Sequence, residues 1–186
     1  FGIVQGGADP ELRERSAKET DQLGFDGHGI GGLAVGETAP ERDAAMRATI
    51  PHLNPAKVRY VMGLGDTDGL LAAIAAGADL FDCVIPTRLA RHGKALTRRG
   101  DVSLKRAEWT AVSEPIEADC PCFTCRTYSA GYLRHLLTTG EMLGPRLLTI
   151  HNLTYTHSLL AEARATIIAG GYDAFRAGRL RLRRIE

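Results

Sequence analysis

The chain has 186 residues, 44% of them hydrophobic and 24% charged, with a net charge of +1. That is enough for one globular domain with a core of its own. No run of 18 apolar residues occurs, which excludes a membrane-spanning helix. The near-zero charge hides an asymmetry, because between Arg88 and Arg106 the only acid is Asp101, and a second basic run closes the chain from Arg176 to Arg184.

The first element is the apolar run Phe1–Val4, which reads as a strand already in progress and leads us to expect an upstream part. A helix follows from about Pro10 to Leu23, with Asp9 as N-cap, Pro10 in the first helical position and Gly24 as the stop. Gly27–Ile30 is the second strand. Gly31-Gly32-Leu33 then leads to a helix from about Pro40 to Thr49, its start marked by Thr38 and Glu41. Val58–Met62 is the third strand, followed by Gly63-Leu64-Gly65 and a helix from about Asp68 to Ala76 capped by Asp66 or Thr67. Asp79–Val84 is the fourth strand and leads into a basic loop. Strands and helices alternating at about 20 to 30 residues predict βα units around a parallel sheet. The interval suits a (β/α)8 TIM barrel, of which this chain would carry about the last four units. Half a barrel leaves two open sheet edges, so the chain alone is expected to be inactive and to aggregate.

The pattern then breaks. Ala95–Thr97 and Val102–Leu104 flank Arg98-Arg99-Gly100-Asp101 as a hairpin, and a loop-rich insert follows. Helices are predicted over about Thr127–Thr138 and about Leu153–Ala169, the second as the closing helix of the barrel. The expected division is a barrel half over 1–100, an inserted, cysteine-bearing subdomain over 101–157, and the closing helix with a basic tail over 158–186. The tail reads equally as a solvated helix end and as a contact for an RNA backbone.

Three of the four cysteines, Cys120, Cys122 and Cys125, fall within six residues. A disulfide framework spreads its cysteines along the chain, so this cluster points to metal ligation in a reducing, cytoplasmic compartment. Cys120-x-Cys122-x2-Cys125 with His151 supplies three thiolates and an imidazole, the donor set of a closed structural zinc site with one ion per chain. His157 is the competing imidazole. Four protein ligands leave no open position, which excludes a metal-dependent hydrolase.

In a βα barrel the chemistry lies at the C-terminal ends of the strands. Those ends carry Gln5 with Gly6-Gly7, then Gly31-Gly32, then Met62 with Gly63, then Asp82. Glycine-rich turns serve close ligand approach as well as tight βα connections, and Asp82 suits either a helix cap or a site carboxylate. A glutamine, a carboxylate and free backbone amides together can grip a polar heterocycle.

These segments carry a family resemblance. Gly2-Ile3-Val4-Gln5-Gly6-Gly7, Gly31-Gly32-Leu33-Ala34-Val35-Gly36-Glu37, Tyr60-Val61-Met62-Gly63, Phe81-Asp82-Cys83-Val84-Ile85-Pro86-Thr87-Arg88 and the Cys/Cys/Cys/His set resemble tRNA-guanine transglycosylase, also called queuine tRNA-ribosyltransferase. The likeness is to the C-terminal half of the bacterial-type enzyme and runs from end to end of the chain. The resemblance implies a zinc-bearing barrel that exchanges guanine at the wobble position of GUN anticodons for preQ1, a 7-aminomethyl-7-deazaguanine, in queuosine tRNA modification.

It also implies roles. Asp82 matches the nucleophile that forms a covalent bond to the ribose, and Gln5, Gly32, Leu33, Met62 and Glu37 match residues around the bound base. Val35 stands where the eukaryotic enzymes resemble glycine, which favours the smaller bacterial base. Arg88 and Arg91 match arginines that contact the tRNA anticodon loop, and Lys94 lies in the same basic segment. The family's general acid/base is an aspartate on an earlier strand, which no residue here matches. The family further implies a homodimer. The rival expectations are an archaeal-type relative with another base and position, and a non-catalytic, zinc-stabilised tRNA-binding protein.

Overall fold

The computed structural model describes residues 1–33 and 36–184. Within it the chain divides into two compact units, Phe1–Val84 and Ile85–Glu186. The first unit is a four-stranded parallel sheet in sequence order. Its strands are β1 (Gly2–Val4), β2 (Gly27–Ile30), β3 (Val58–Val61) and β4 (Leu80–Phe81), joined by α1 (Pro10–Gln22), α2 (Ala39–Thr49) and α3 (Thr67–Ala76).

Local chemistry sets each crossover. Asp9 caps α1 by accepting from the Glu11 and Leu12 amides at 2.9 and 3.1 Å, with Pro10 supplying the pre-set φ of the first turn. Thr38 and Glu41 close a reciprocal capping box on α2. Asp66 accepts from Gly69 at 2.7 Å to start α3, and Gly77 ends it in the left-handed region at φ +106°. The register aligns Val4, Ile30, Val61 and Phe81 across the sheet. Val4, Ile30 and Val61 are fully buried with Ala17, Ala45, Met46 and Ala73, so this row faces the helices and makes the core. The next row back, Ile3, Gly29, Tyr60 and Leu80, faces the opposite way, with Ile3 and Leu80 about half exposed. The four strands form an open parallel sheet with β1 and β4 at its edges. The fourth strand is shorter than expected, pairing with β3 only through Leu80 and Phe81.

The second unit begins with α4 (Ile85–Arg91), where a basic loop was expected; Pro86 suits a first helical turn, and Pro86 and Ala90 form the buried side. The hairpin is β5 (Lys94–Thr97) with β6 (Gly100–Ser103), close to its expected place. The helix expected from Thr127 is two: α5 (Phe123–Thr127), and α6 (Ala130–Thr139), which Ser129 caps. The long α7 (Leu143–Ile168) starts ten residues before its expected N-terminus. Pro145 in the first turn loses no hydrogen bond, and Gly144 packs against Leu136 where a Cβ would meet α6 at 3.2 Å. α7 runs unbroken through 157, and the hairpin packs on it through the Leu96 amide, which donates to Asn152.

The basic tail is a helix, α8 (Tyr172–Arg183). Arg179 pairs with Glu162, and Arg183 donates to Thr97 O and Asp101, both at 3.1 Å. Two of its arginines are therefore engaged by the protein's own carboxylates. Among the described residues no helix is long and apolar enough to cross a membrane.

Candidate functional site

On the open face of the first unit, strand alternation places Gln5, Gly31, Met62 and Asp82 in one row beyond the last paired residues of β1 to β4. A Cβ on Gly31 would lie 2.8 Å from Gln5 Nε2, so the glycine is what lets the Gln5 carboxamide lie across β2. Gly32 stands at φ +68°, with Gln5 Oε1 on one side and Arg13 on the other. A cavity of about 430 Å³ opens on this face between Ile3, Gly29, Tyr60, Met62 and Leu80. That volume falls in the range of small-molecule sites, about 300–1,000 Å³.

Asp82 is exposed at the end of β4 and is held by two donors. The Tyr60 hydroxyl donates to Oδ1 at 2.5 Å and the Gly63 N–H donates to the same oxygen at 2.9 Å. The Tyr60 contact first, and the Gly63 amide second, hold the carboxyl below the usual carboxylate range; the same bond raises the Tyr60 phenol. The result is a fixed, ionised oxygen beside the cavity, with Oδ2 left for a ligand. Nothing in the sequence near Tyr60 signals this role, because its partner lies 22 residues away.

Arg13 is the other group the sequence reading passed over. It sits in α1 like a surface residue, yet it is fully buried. Its guanidinium donates from Nε to Gly7 O at 2.6 Å, from Nη1 to Val4 O at 3.4 Å and from Nη2 to Gly32 O at 3.2 Å. Burial pulls its pKa below the usual value while the nearby Glu37 carboxylate favours the charge. One side chain thus ties the turns after β1 and β2 together. Arg13→Met leaves three carbonyls without this donor and is expected to cost about 3 kcal/mol in a denaturant titration; an unchanged midpoint would show that water replaces the guanidinium.

The remaining expected base contacts lie nearby. The Leu33 side chain is in the core, only 1% exposed, so it presents backbone alone to a ligand. Met62 and Glu37 are half-buried. Val35 lies outside the described residues.

In the second unit the ligating atoms of Cys120, Cys122, Cys125 and His151 lie within 4.8 Å of one another. His151 sits on α7, one face of which is fully buried, while His157 is exposed on the same helix and takes no part. The three sulfurs stand 3.6, 3.7 and 3.3 Å from His151 Nδ1. A tetrahedral zinc, about 2.3 Å from sulfur and about 2.0 Å from nitrogen, sets that separation at about 3.5 Å. His151 Nε2 donates to Leu96 O at 2.9 Å, which fixes the tautomer that leaves the Nδ1 lone pair facing the sulfurs. Cys122 also accepts from the Cys125 amide at 3.2 Å, and the Cys120 and Cys125 thiols hold its own thiol well below the usual range. Burial opposes charge on His151, but the Cys120 and Cys122 sulfurs outweigh it and push the imidazole up to about 10. A site that draws a proton so strongly to Nδ1 fits a divalent cation in the same place.

The basic residues expected to meet RNA are all exposed: Arg88 and Arg91 on α4 and Lys94 at the start of β5, with His92 between them.

A family model described as queuine tRNA-ribosyltransferase matches residues 1–184. The queuine tRNA-ribosyltransferase of Thiobacillus denitrificans is 48% identical over 175 residues, 94% of this chain and 48% of that protein. That of Pelotomaculum thermopropionicum is 47% identical over 181 residues, 97% and 49% of the respective chains. That of Aromatoleum aromaticum is 46% identical over 183 residues, 96% and 50%. The chain spans about half the length of the curated relatives it matches.

Proposed function

The chain belongs to the queuine tRNA-ribosyltransferase family, and on that premise we propose that the protein exchanges guanine at the tRNA wobble position for preQ1 through a covalent aspartyl-ribose intermediate. The observation that carries the reading is Asp82, an ionised carboxylate at the end of β4 fixed by Tyr60 and Gly63, in one row with Gln5, Gly31 and Met62.

In the first step the free Oδ2 of Asp82 attacks C1′ of the ribose from the face opposite guanine. The C1′–O bond forms as the C1′–N9 bond breaks, and guanine leaves with a proton taken from a general acid outside this chain. In the second step N9 of the incoming base, losing its proton to that same group, displaces Asp82 and restores the β configuration. Two inversions give net retention, the logic of retaining glycosidases with a base in place of water. The Gln5 carboxamide can donate to and accept from a lactam edge, the Gly32 N–H and Leu33 carbonyl complete the polar rim, and Met62 packs on the base plane. In this reading Glu37 supports the orientation of the Leu33 peptide, and valine at position 35 favours the smaller aminomethyl base.

The four βα units form the second half of a (β/α)8 barrel in this reading. Zinc is held by Cys120, Cys122, Cys125 and His151 and supplies structure, not a reaction step. Arg88, Arg91 and Lys94 hold the anticodon loop, whose unpaired target base leaves its stack at little cost. A homodimer belongs to the same reading; the ring ladder of Phe123, Tyr128 and Tyr132 beside the metal ligands, with Phe123 56% exposed, is the surface it would cover.

Labelled-guanine incorporation into unmodified tRNA by the complete protein tests the reading. Incorporation supports base exchange; folded, metal-loaded protein that binds tRNA without incorporation would instead establish a non-catalytic tRNA-binding relative. Tyr60→Phe refines the test. Loss of the phenol removes the main cause of the lowered Asp82 pKa, and a carboxylate is lost as pH falls through its pKa, so the acid limb of the rate profile is expected to move to higher pH. An unmoved limb would separate Tyr60 from Asp82 ionisation.

A further inference from the structure

The metal cluster and the basic segment converge on one peptide. His151 and Asn152 are consecutive on α7 and both fully buried. Between them they take both polar groups of Leu96: His151 Nε2 donates to its carbonyl at 2.9 Å, and its N–H donates to Asn152 Oδ1 at 2.9 Å. Asn152 uses both hydrogens of Nδ2 as well, donating to Pro86 O at 2.9 Å and to Lys94 O at 3.0 Å. Pro86 lies in the first turn of α4 and Lys94 opens β5, so one carboxamide clamps the two ends of the segment that carries Arg88, Arg91 and Lys94.

An asparagine inside a helix is a poor helix former, and a buried amide is costly unless its hydrogen bonds are made. Here every donor is used, and the three partners come from two places, the start of α4 and strand β5. A fully satisfied polar group of this kind specifies one arrangement where apolar packing would tolerate several. Leucine in its place would fill similar space but remove the donors to Pro86 O and Lys94 O and the acceptor for the Leu96 N–H.

We propose that Asn152 is a positioning residue for tRNA, setting α4 and Lys94 in the geometry that grips the anticodon loop, and that the metal ligand His151 fixes the Leu96 peptide from the other side. On this account the metal centre sets the RNA grip as well as holding the insert. The proposal rests on the reading of Arg88, Arg91 and Lys94 as tRNA contacts.

The test uses the complete, zinc-loaded protein and the variants Asn152→Asp, Arg88→Ala and Arg91→Ala. Asn152→Asp keeps the acceptor for Leu96 and turns an oxygen toward two carbonyls. The expected result is a tRNA KM raised about tenfold with the KM for guanine and the metal content unchanged. The salt dependence of tRNA binding should become shallower, by about 0.7 in log–log slope for each phosphate that the protein no longer neutralises. A lowered melting temperature with wild-type tRNA KM and salt slope would mean a purely structural asparagine and overturns the proposal. If Asn152→Asp does not fold, Asn152→Ser, which keeps one donor, is read by the same two measurements. Arg88→Ala and Arg91→Ala separate the tRNA contacts themselves from their positioning by Asn152. If they leave tRNA KM and slope unchanged, the tRNA-contact reading fails and takes the proposal with it; if they weaken binding while both Asn152 variants do not, the proposal alone fails.

Discussion

Asp82→Asn is expected to reduce base exchange by about 10⁴-fold or more, the scale on which nucleophile removal acts in enzymes with covalent intermediates. The substitution is nearly isosteric, and its Oδ1 can still accept from Tyr60 and from the Gly63 amide, so the end of β4 keeps its conformation. What disappears is the charge, and with it both the attack on C1′ and the stabilisation of a positive ribose. Side-by-side incorporation of labelled guanine reads the rate. A denaturing gel of protein mixed with tRNA reads the intermediate directly, as an RNA-linked band formed by the parent protein and absent in Asp82→Asn. Equal incorporation by both proteins would remove Asp82 from its role while leaving the family unaltered. A variant that exchanges slowly and still forms the adduct would place the covalent bond on another side chain.

Metal removal is expected to unfold the second unit around the cysteine cluster. Structural zinc contributes about 10–16 kcal/mol of apparent free energy, as much as the whole stability of a typical domain at about 5–15 kcal/mol. The four ligands come from the loop before α5, from α5 and from α7, and His151 carries the hydrogen bond to Leu96, so the loss spreads along the hairpin. Elemental analysis should give one zinc per chain. Chelation should lower the melting temperature steeply and expose the Leu96 amide to hydrogen exchange, and zinc should reverse both. An unchanged melting curve in metal-free protein would make the cluster dispensable, and a different bound metal would overturn the zinc reading.

The first unit was largely legible because its signals are short-range. Asp9-Pro10, Thr38 with Glu41, Asp66 and Gly77 each act within one helical turn, and each marks an element edge close to where the structure has it. The glycine-rich strand ends likewise mark Gln5, Met62 and Asp82, and the strand pairing brings them into one row. Errors gathered where a local signal has two meanings. Gly144-Pro145 can end a helix or begin one, and only the packing of Gly144 against α6 decides for the start of α7. Arg88 and Arg91 look like loop charges until Pro86 and Ala90 are seen buried on the other side of α4.

By itself the sequence determined the βα alternation, the glycine-rich strand ends, and the Cys/Cys/Cys/His donor set, because caps, turns and ligand types are properties of neighbouring residues. Tertiary structure alone decided which polar side chains work inward. Arg13 looks like any helix-surface arginine until Val4, Gly7 and Gly32 turn their carbonyls to it. Tyr60 acquires its role from Asp82, 22 residues on, and Asn152 from Pro86 and Lys94, 66 and 58 residues back. A hydrogen bond depends on a few tenths of an ångström and on direction, and those are set only when distant segments have packed.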